Sequence, residues 1–105
     1  MKILKPFVRQ ERKIAKELKG KCQPGSGSQF HSKGDVKTNK FLIECKTTKN
    51  QSYGLKIKEL VKIYQEATEE DLIPVMCIEL DNEKTGRNYY VLTETDFKDL
   101  VKDYL

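Results

Sequence analysis

The longest apolar stretch in the chain runs from Leu72 to Ile78, interrupted by Pro74. Continued to Leu80, it reads as a strand of the buried type, with the proline near its start, where a missing N–H is tolerated. The stretch is far shorter than the ~20 apolar residues a membrane span needs. The remaining apolar residues come in short periodic sets. The core is therefore modest, and the charged residues, 34 % of the chain, cover most of the surface. A length of 105 residues predicts one domain spanning 1–105. With 5 Tyr and 4 Phe, the chain differs from a disordered tail.

The periodic sets define the other elements. Phe7, Glu11, Ile14 and Leu18 share a stripe at helical spacing, which predicts a helix over 7–19 with Gly20 as its stop. Residues 35–37 and 40–48 predict two short strands joined by a turn at Thr38 and Asn39. In the second, Phe41, Ile43 and Cys45 alternate with Leu42, Glu44 and Lys46, so Glu44 and Lys46 share a face and the Cys45 side chain points the other way. Ile57, Leu60, Val61, Tyr64 and Ala67 make the stripe of a helix over 55–68. After the strand at 72–80 come a polar turn, a partner strand at 88–92, and a last helix capped by Thr95 with the stripe Phe97, Leu100, Val101 and Tyr104. The order α-β-β-α-β-β-α predicts a small mixed α/β domain. The segment 23–34, rich in Gly, Ser and Pro, is a loop too short to link two domains.

The formal net charge of +4 hides an asymmetry. Residues 1–56 hold 14 Lys and Arg against 4 Asp and Glu, and residues 57–105 hold 6 against 12. A basic half suits a phosphate-rich partner, because each Lys or Arg near a phosphate releases condensed counterions. The acidic half is expected on a side turned away. Cys22, Cys45 and Cys77 form no C-x-x-C pair, which argues against a zinc ribbon or a disulfide scaffold. Reduced thiols and an N-terminus without an apolar signal core lead to a cytoplasmic expectation.

The carboxylates inside the basic half carry the chemistry. If the strands at 35–37 and 40–48 are neighbours, Asp35 and Glu44 meet at one spot. Two adjacent carboxylates repel and raise each other's pKa, a conflict that a divalent cation resolves. Mg²⁺ takes hard oxygen ligands, which Asp35, Glu44 and the backbone carbonyl of Cys45 can supply. Lys46 shares the Glu44 face, placed to orient or help deprotonate a water and to offset charge on phosphorus. Glu11, on the apolar stripe, is either a further ligand or a surface ion-pair partner. Ser26 and Ser28 are either phosphate contacts or parts of a plain turn. The loop has no Gly-Lys-Ser/Thr and does not form a nucleotide cradle. His31, the single histidine, reads as an exposed loop residue. Lys33, Lys37, Lys40, Lys49 and Lys56 are candidate contacts to a nucleic-acid backbone.

Gly34-Asp35-Val36 followed by Phe41-Leu42-Ile43-Glu44-Cys45-Lys46 resembles the core of the PD-(D/E)xK nucleases. Glu11-Arg12 on the first helix and the Pro24–Ser28 loop before the Asp extend the likeness, as do Thr47-Thr48 after the Lys and the helix and strand that follow. Over roughly residues 8–80 the pattern is similar to archaeal Holliday-junction resolvases and small phage relatives. The resemblance implies a restriction-endonuclease-like fold and a Mg²⁺-dependent endonuclease, with Mn²⁺ able to substitute, acting on branched DNA as a homodimer in the cytoplasm (a host's, if phage-encoded). It implies Glu11, Asp35 and Glu44 as metal ligands, Lys46 as the catalytic lysine, Arg12 aimed at the DNA backbone, and Ser26 or Ser28 on a phosphate. Gly34 stands where the name motif has proline. The alternatives are a duplex nuclease of restriction or repair type, and a DNA-binding module on the same fold that does not cut.

Overall fold

The computed structural model describes residues 3–23 and 34–105. Helix α1 spans Pro6–Glu17, and strands β1 (Lys21–Cys22), β2 (Val36–Lys37) and β3 (Phe41–Thr47) follow it. Then come α2 (Ile57–Glu69), β4 (Ile73–Leu80), β5 (Arg87–Val91) and α3 (Glu94–Val101), with a short 3-10 turn at Lys102–Tyr104. The strands form a mixed five-stranded sheet in the order β1-β2-β3-β4-β5. Only β3 and β4 are parallel, in register from Phe41 opposite Ile73 to Thr47 opposite Glu79, and α2 is the crossover that joins them. This is a restriction-endonuclease-like α/β architecture, as the sequence predicts. Strand β1 is the one element the sequence does not suggest.

Both faces of the sheet are covered, which is why β3 and β4 are rich in apolar residues. Ile14 and Ala15 of α1 pack on Val36, Ile43, Cys45, Val75 and Cys77. Ile63 and Ala67 of α2 pack on Leu42 and Met76 from the other side. The alternation read in β3 is therefore realised, with Leu42 facing α2 and Ile43 and Cys45 facing α1. Pro74 sits in an interior strand without loss of a ladder bond. Ile73 N–H donates to Lys40 O at 2.8 Å, so the next residue's nitrogen faces the β5 side. Pairing there begins only at Met76 opposite Val91.

The helices differ from the predicted stripes in rotation. Helix α1 buries Gln10, Glu11, Ile14 and Ala15, and leaves Phe7 and Leu18 largely exposed. Helix α2 buries Ile63 and Ala67, while Ile57 is 74 % and Tyr64 51 % exposed. The cap of α3 is Thr93 rather than Thr95: its Oγ1 accepts from Asp96 N–H at 3.1 Å, and Thr95 lies inside the helix. No residue of α3 is buried, so its apolar stripe is not a core stripe.

Gly20 ends α1 for a reason other than the expected one. The left-handed residue is Lys19, with φ of 56°, and Gly20 N–H donates to Ala15 O at 2.8 Å. Gly20 is required by close approach: a Cβ there would lie 2.7 Å from Lys37 O. A Cβ on Gly54 would meet nothing within 4 Å. Gly20→Ala is expected to destabilise the fold by ~1–3 kcal/mol. Gly54→Ala is expected to leave stability unchanged or raise it slightly. Urea unfolding of the two variants beside the parent chain checks both.

Candidate active site

Asp35 is fixed at the point where β2 and β3 part. Its N–H donates to Ile43 O at 2.8 Å, and its carbonyl accepts from Gln23 N–H at 2.9 Å. Residue pairing between the strands ends at Val36 opposite Ile43. Beyond it the Asp35 side chain takes over, with Oδ2 accepting from Cys45 N–H at 2.7 Å. A carboxylate thus stands in for a ladder carbonyl. A strand residue's N–H and C=O project to the same edge, so the Cys45 carbonyl also points toward the Asp35 side.

Gly34 sets this geometry up. Its φ is 68°, and a Cβ would fall 2.8 Å from Leu42 Cγ. Its N–H donates to Glu66 Oε1 on α2 at 3.2 Å. Proline is locked at negative φ and has no N–H, so the Gly-Asp form of the motif follows from this backbone.

Glu44 and Lys46 lie on the α2 face of β3. Lys46 Nζ is 3.6 Å from Glu44 Oε2 and 3.6 Å from Glu59 Oε2 on α2. Tyr53 OH donates to that same Glu59 oxygen at 2.7 Å. The Glu44 carboxyl is pushed up to about 7, first by burial and then by the charge of Asp35, with Lys46 and Lys62 pulling the other way. Asp35 is thus within electrostatic reach of Glu44.

Glu11 reaches the site from the opposite face. It is buried on α1. The Cys45 thiol is pushed up chiefly by its hydrogen bond to Cys77 and by burial, and in smaller part by Asp35 and Glu11. The Cys22 thiol is raised by burial first, then by Glu11, with Asp35 adding to it. Glu11 and Asp35 thus act on the same thiols, Cys22 and Cys45, whereas Asp35 also acts on Glu44. Among the described residues, no three His, Cys, Asp or Glu side chains converge closely enough to hold a metal ion. The structure pairs Lys46 with Glu44, brings Asp35 within electrostatic reach of Glu44, and leaves Glu11 adjacent to them rather than assembled with them.

The proposed nucleic-acid contacts divide. Arg12 and Lys49 are exposed. Lys37 is ion-paired to Glu70, the residue that caps the end of α2, so its ammonium already has a partner. Ser26, Ser28, His31 and Lys33 lie outside the described residues. The acidic half is not turned away, contrary to the expectation from charge. Glu59, Glu66 and Glu70 all lie on the α2 side that meets the basic motif strands.

Gln10 also went unread in the sequence. It is 1 % exposed, and its Nε2 donates to Lys46 O at 2.9 Å, Cys77 O at 3.2 Å and Asn88 Oδ1 at 3.1 Å. It pins α1 to the backbone of the motif strand. Its place four residues before Ile14, on the buried stripe, is the signal that marks it. Glu59 and Glu66, seven residues apart on one side of α2, carry a similar signal.

Fold and site together define a restriction-endonuclease-like α/β protein, the architecture implied by the PD-(D/E)xK resemblance. The chain is similar to a solved structure, the 1.6 Å structure of Archaeoglobus fulgidus Hjc, a Holliday junction resolvase from an archaeal hyperthermophile. The TM-score is 0.63 at 18 % identity, covering 80 % of this chain and 73 % of that one. No family model and no curated protein matches the sequence.

Glu44 gives the chain a pH signature. A carboxyl with a raised folded pKa binds its proton more avidly in the folded state than in the unfolded one. Its contribution to stability is fully present below pH 4.5 and is lost as the pH rises to about 7. Glu44→Gln removes this titration. Measured without metal, the variant is expected to gain about 3 kcal/mol on the parent between these limits. Paired denaturation curves across that range check it.

Proposed function

We propose that this chain is a metal-dependent endonuclease that hydrolyses DNA phosphodiester bonds, with a four-way junction as its substrate. The observation that carries the reading is the meeting of Asp35, Glu44 and Lys46 at the splayed end of the β2–β3 pair. The junction as substrate draws on the Hjc likeness and on the motif pattern.

The residues fit a hard divalent cation. Glu44 is half-buried and within the field of Asp35, which favours its protonated form, a conflict that a cation in place of the proton removes. Asp35 and Glu44 would hold Mg²⁺, or Mn²⁺ in its stead, with the Cys45 carbonyl on the Asp35 edge and Glu11 approaching from α1. When bound, such an ion supplies Lewis-acid polarisation of the phosphoryl group and neutralises charge. The Lys46 ammonium, beside Glu44, offsets negative charge that builds on the phosphoryl oxygens. Arg12 and Lys49 are free to meet the DNA backbone through solvent-exposed side chains. Paired cuts in a junction need two sites, and this chain carries one candidate site, so the working unit in this reading is a homodimer. Ile57, Val61 and Tyr64 on α2 and Phe97 on α3 are exposed apolar side chains available to a second copy.

A module that binds DNA without cutting is the second reading. It is favoured by the lack of a three-ligand cluster among the described residues.

Incubation with Mg²⁺ and a labelled four-way junction is expected to give paired, symmetric cuts, with matched linear duplex spared. Asp35→Asn and Lys46→Ala are each expected to lower cleavage by at least about 100-fold while leaving junction binding in place. Binding with no cleavage of any DNA in Mg²⁺ or Mn²⁺ selects the second reading. A strictly monomeric mass in solution argues against the junction as substrate.

A further inference from the structure

We infer that Tyr53 and Glu59 form a two-residue clamp that positions the Lys46 ammonium beside Glu44, a role that rests on the nuclease reading. Lys46 lies at the same distance, 3.6 Å, from Glu44 and from Glu59. The two carboxylates come from different elements, β3 and α2, and approach one flexible four-carbon side chain. Glu44 is the near neighbour of Lys46 on the same face of its strand, whereas Glu59 is brought to it from another element and is not a sequence-local pair of the i,i+4 kind that decorates helix surfaces. Glu59 is itself held, because Tyr53 OH donates to its Oε2 at 2.7 Å. Tyr53 is half-buried in the segment leading into α2 and packs against the Leu42–Met76 layer, so the phenol has a fixed base. The chain of contacts runs from core to Tyr53, Glu59, Lys46 and Glu44.

The second carboxylate has a chemical purpose. A Glu44 that holds a divalent cation would have its oxygens engaged there, and a lysine paired with Glu44 alone would then lack a partner. Glu59 keeps the ammonium in place throughout. A preorganised charge does not have to reorganise as the reaction proceeds, and misplacement by about 1 Å can cost about 100-fold in rate. The raised Tyr53 hydroxyl, pushed up to about 12 by burial and by its bond to Glu59, keeps the proton that the bond needs. A structural role for Glu59 in the first turn of α2 would need only its shape and an acceptor for Tyr53, and glutamine supplies both.

That difference sets the test. Glu59→Gln and Tyr53→Phe are compared with the parent chain in Mg²⁺-dependent junction cleavage. Glu59→Gln is expected to lower kcat by about 10- to 100-fold with KM within about twofold, and Tyr53→Phe to lower kcat by a smaller factor. The double variant is expected to cost less than the product of the two single effects, because both act on one ammonium. Glu59→Asp is expected to recover part of the loss. A second measurement needs neither metal nor cleavage. The Lys46 ammonium is expected to give a protected ¹H–¹⁵N signal in the parent chain, lost in Glu59→Gln. The clamp is overturned if Glu59→Gln cuts at the parental kcat, or if the Lys46 signal is the same in both proteins. If the parent chain cuts no DNA, the nuclease reading falls, and the ammonium signal still decides whether the clamp exists.

Discussion

Strand β3 is covered on both faces, and the rest of the molecule follows from that constraint. Its odd residues Ile43 and Cys45 enter the α1 layer, and its even residue Leu42 enters the α2 layer. The same alternation carries Glu44 and Lys46 to the α2 side, where they are only part exposed. Charges in such a place need partners, since an unpaired buried charge is costly. Helix α2 supplies them. It places Ile63 and Ala67 on the sheet and a carboxylate, Glu59, beside Lys46. The helix that crosses over to make β3 and β4 parallel therefore also completes the electrostatics of the motif strand.

The division of charge along the sequence takes on a different meaning in space. Ion pairs and hydrogen bonds join the halves: Glu59 to Lys46, Glu66 to Gly34, Glu70 to Lys37, and Glu79 to Arg9 and to Thr47. The basic segment supplies the motif and the acidic segment braces it. The positive charge left for an outside partner is carried by exposed residues such as Arg12 and Lys49.

The sequence made the central strands legible because their signals are strong. Leu72 to Ile78 is a continuous run, and residues 41–46 alternate cleanly. Helix positions were legible, but their rotation was not. Apolar type alone points a side chain to the core, whereas α2 spends Ile57 and Tyr64 on its outer surface and turns Glu59 and Glu66 toward the sheet. Gln10 and Glu59 are polar, and polarity normally predicts exposure. Gln10 is buried and Glu59 half-buried because each finds a partner, Lys46, more than 10 residues away along the chain; stripe position marks the two residues, and the partner is what the local pattern leaves out. Strand β1 has two residues, too few for any period to show. Its existence depends on Val36 and Lys37 offering it an edge. The Asp35–Glu44 pairing was legible because a hairpin joins them. The place of Glu11, beside that pair and not assembled with it, was not, since it depends on how α1 docks across the opposite face.

The bonds that brace the motif share one property. Asp35 to Cys45 spans 10 residues, Gly34 to Glu66 and Thr47 to Glu79 each span 32, and Gln10 to Lys46 spans 36. Contacts of that separation form only after the intervening chain has closed. The arrangement around Asp35 and Glu44 is thus a readout of completed folding. A nascent or locally opened chain holds the same residues without their geometry, so any chemistry of this site is withheld until α1, α2 and β4 are all seated.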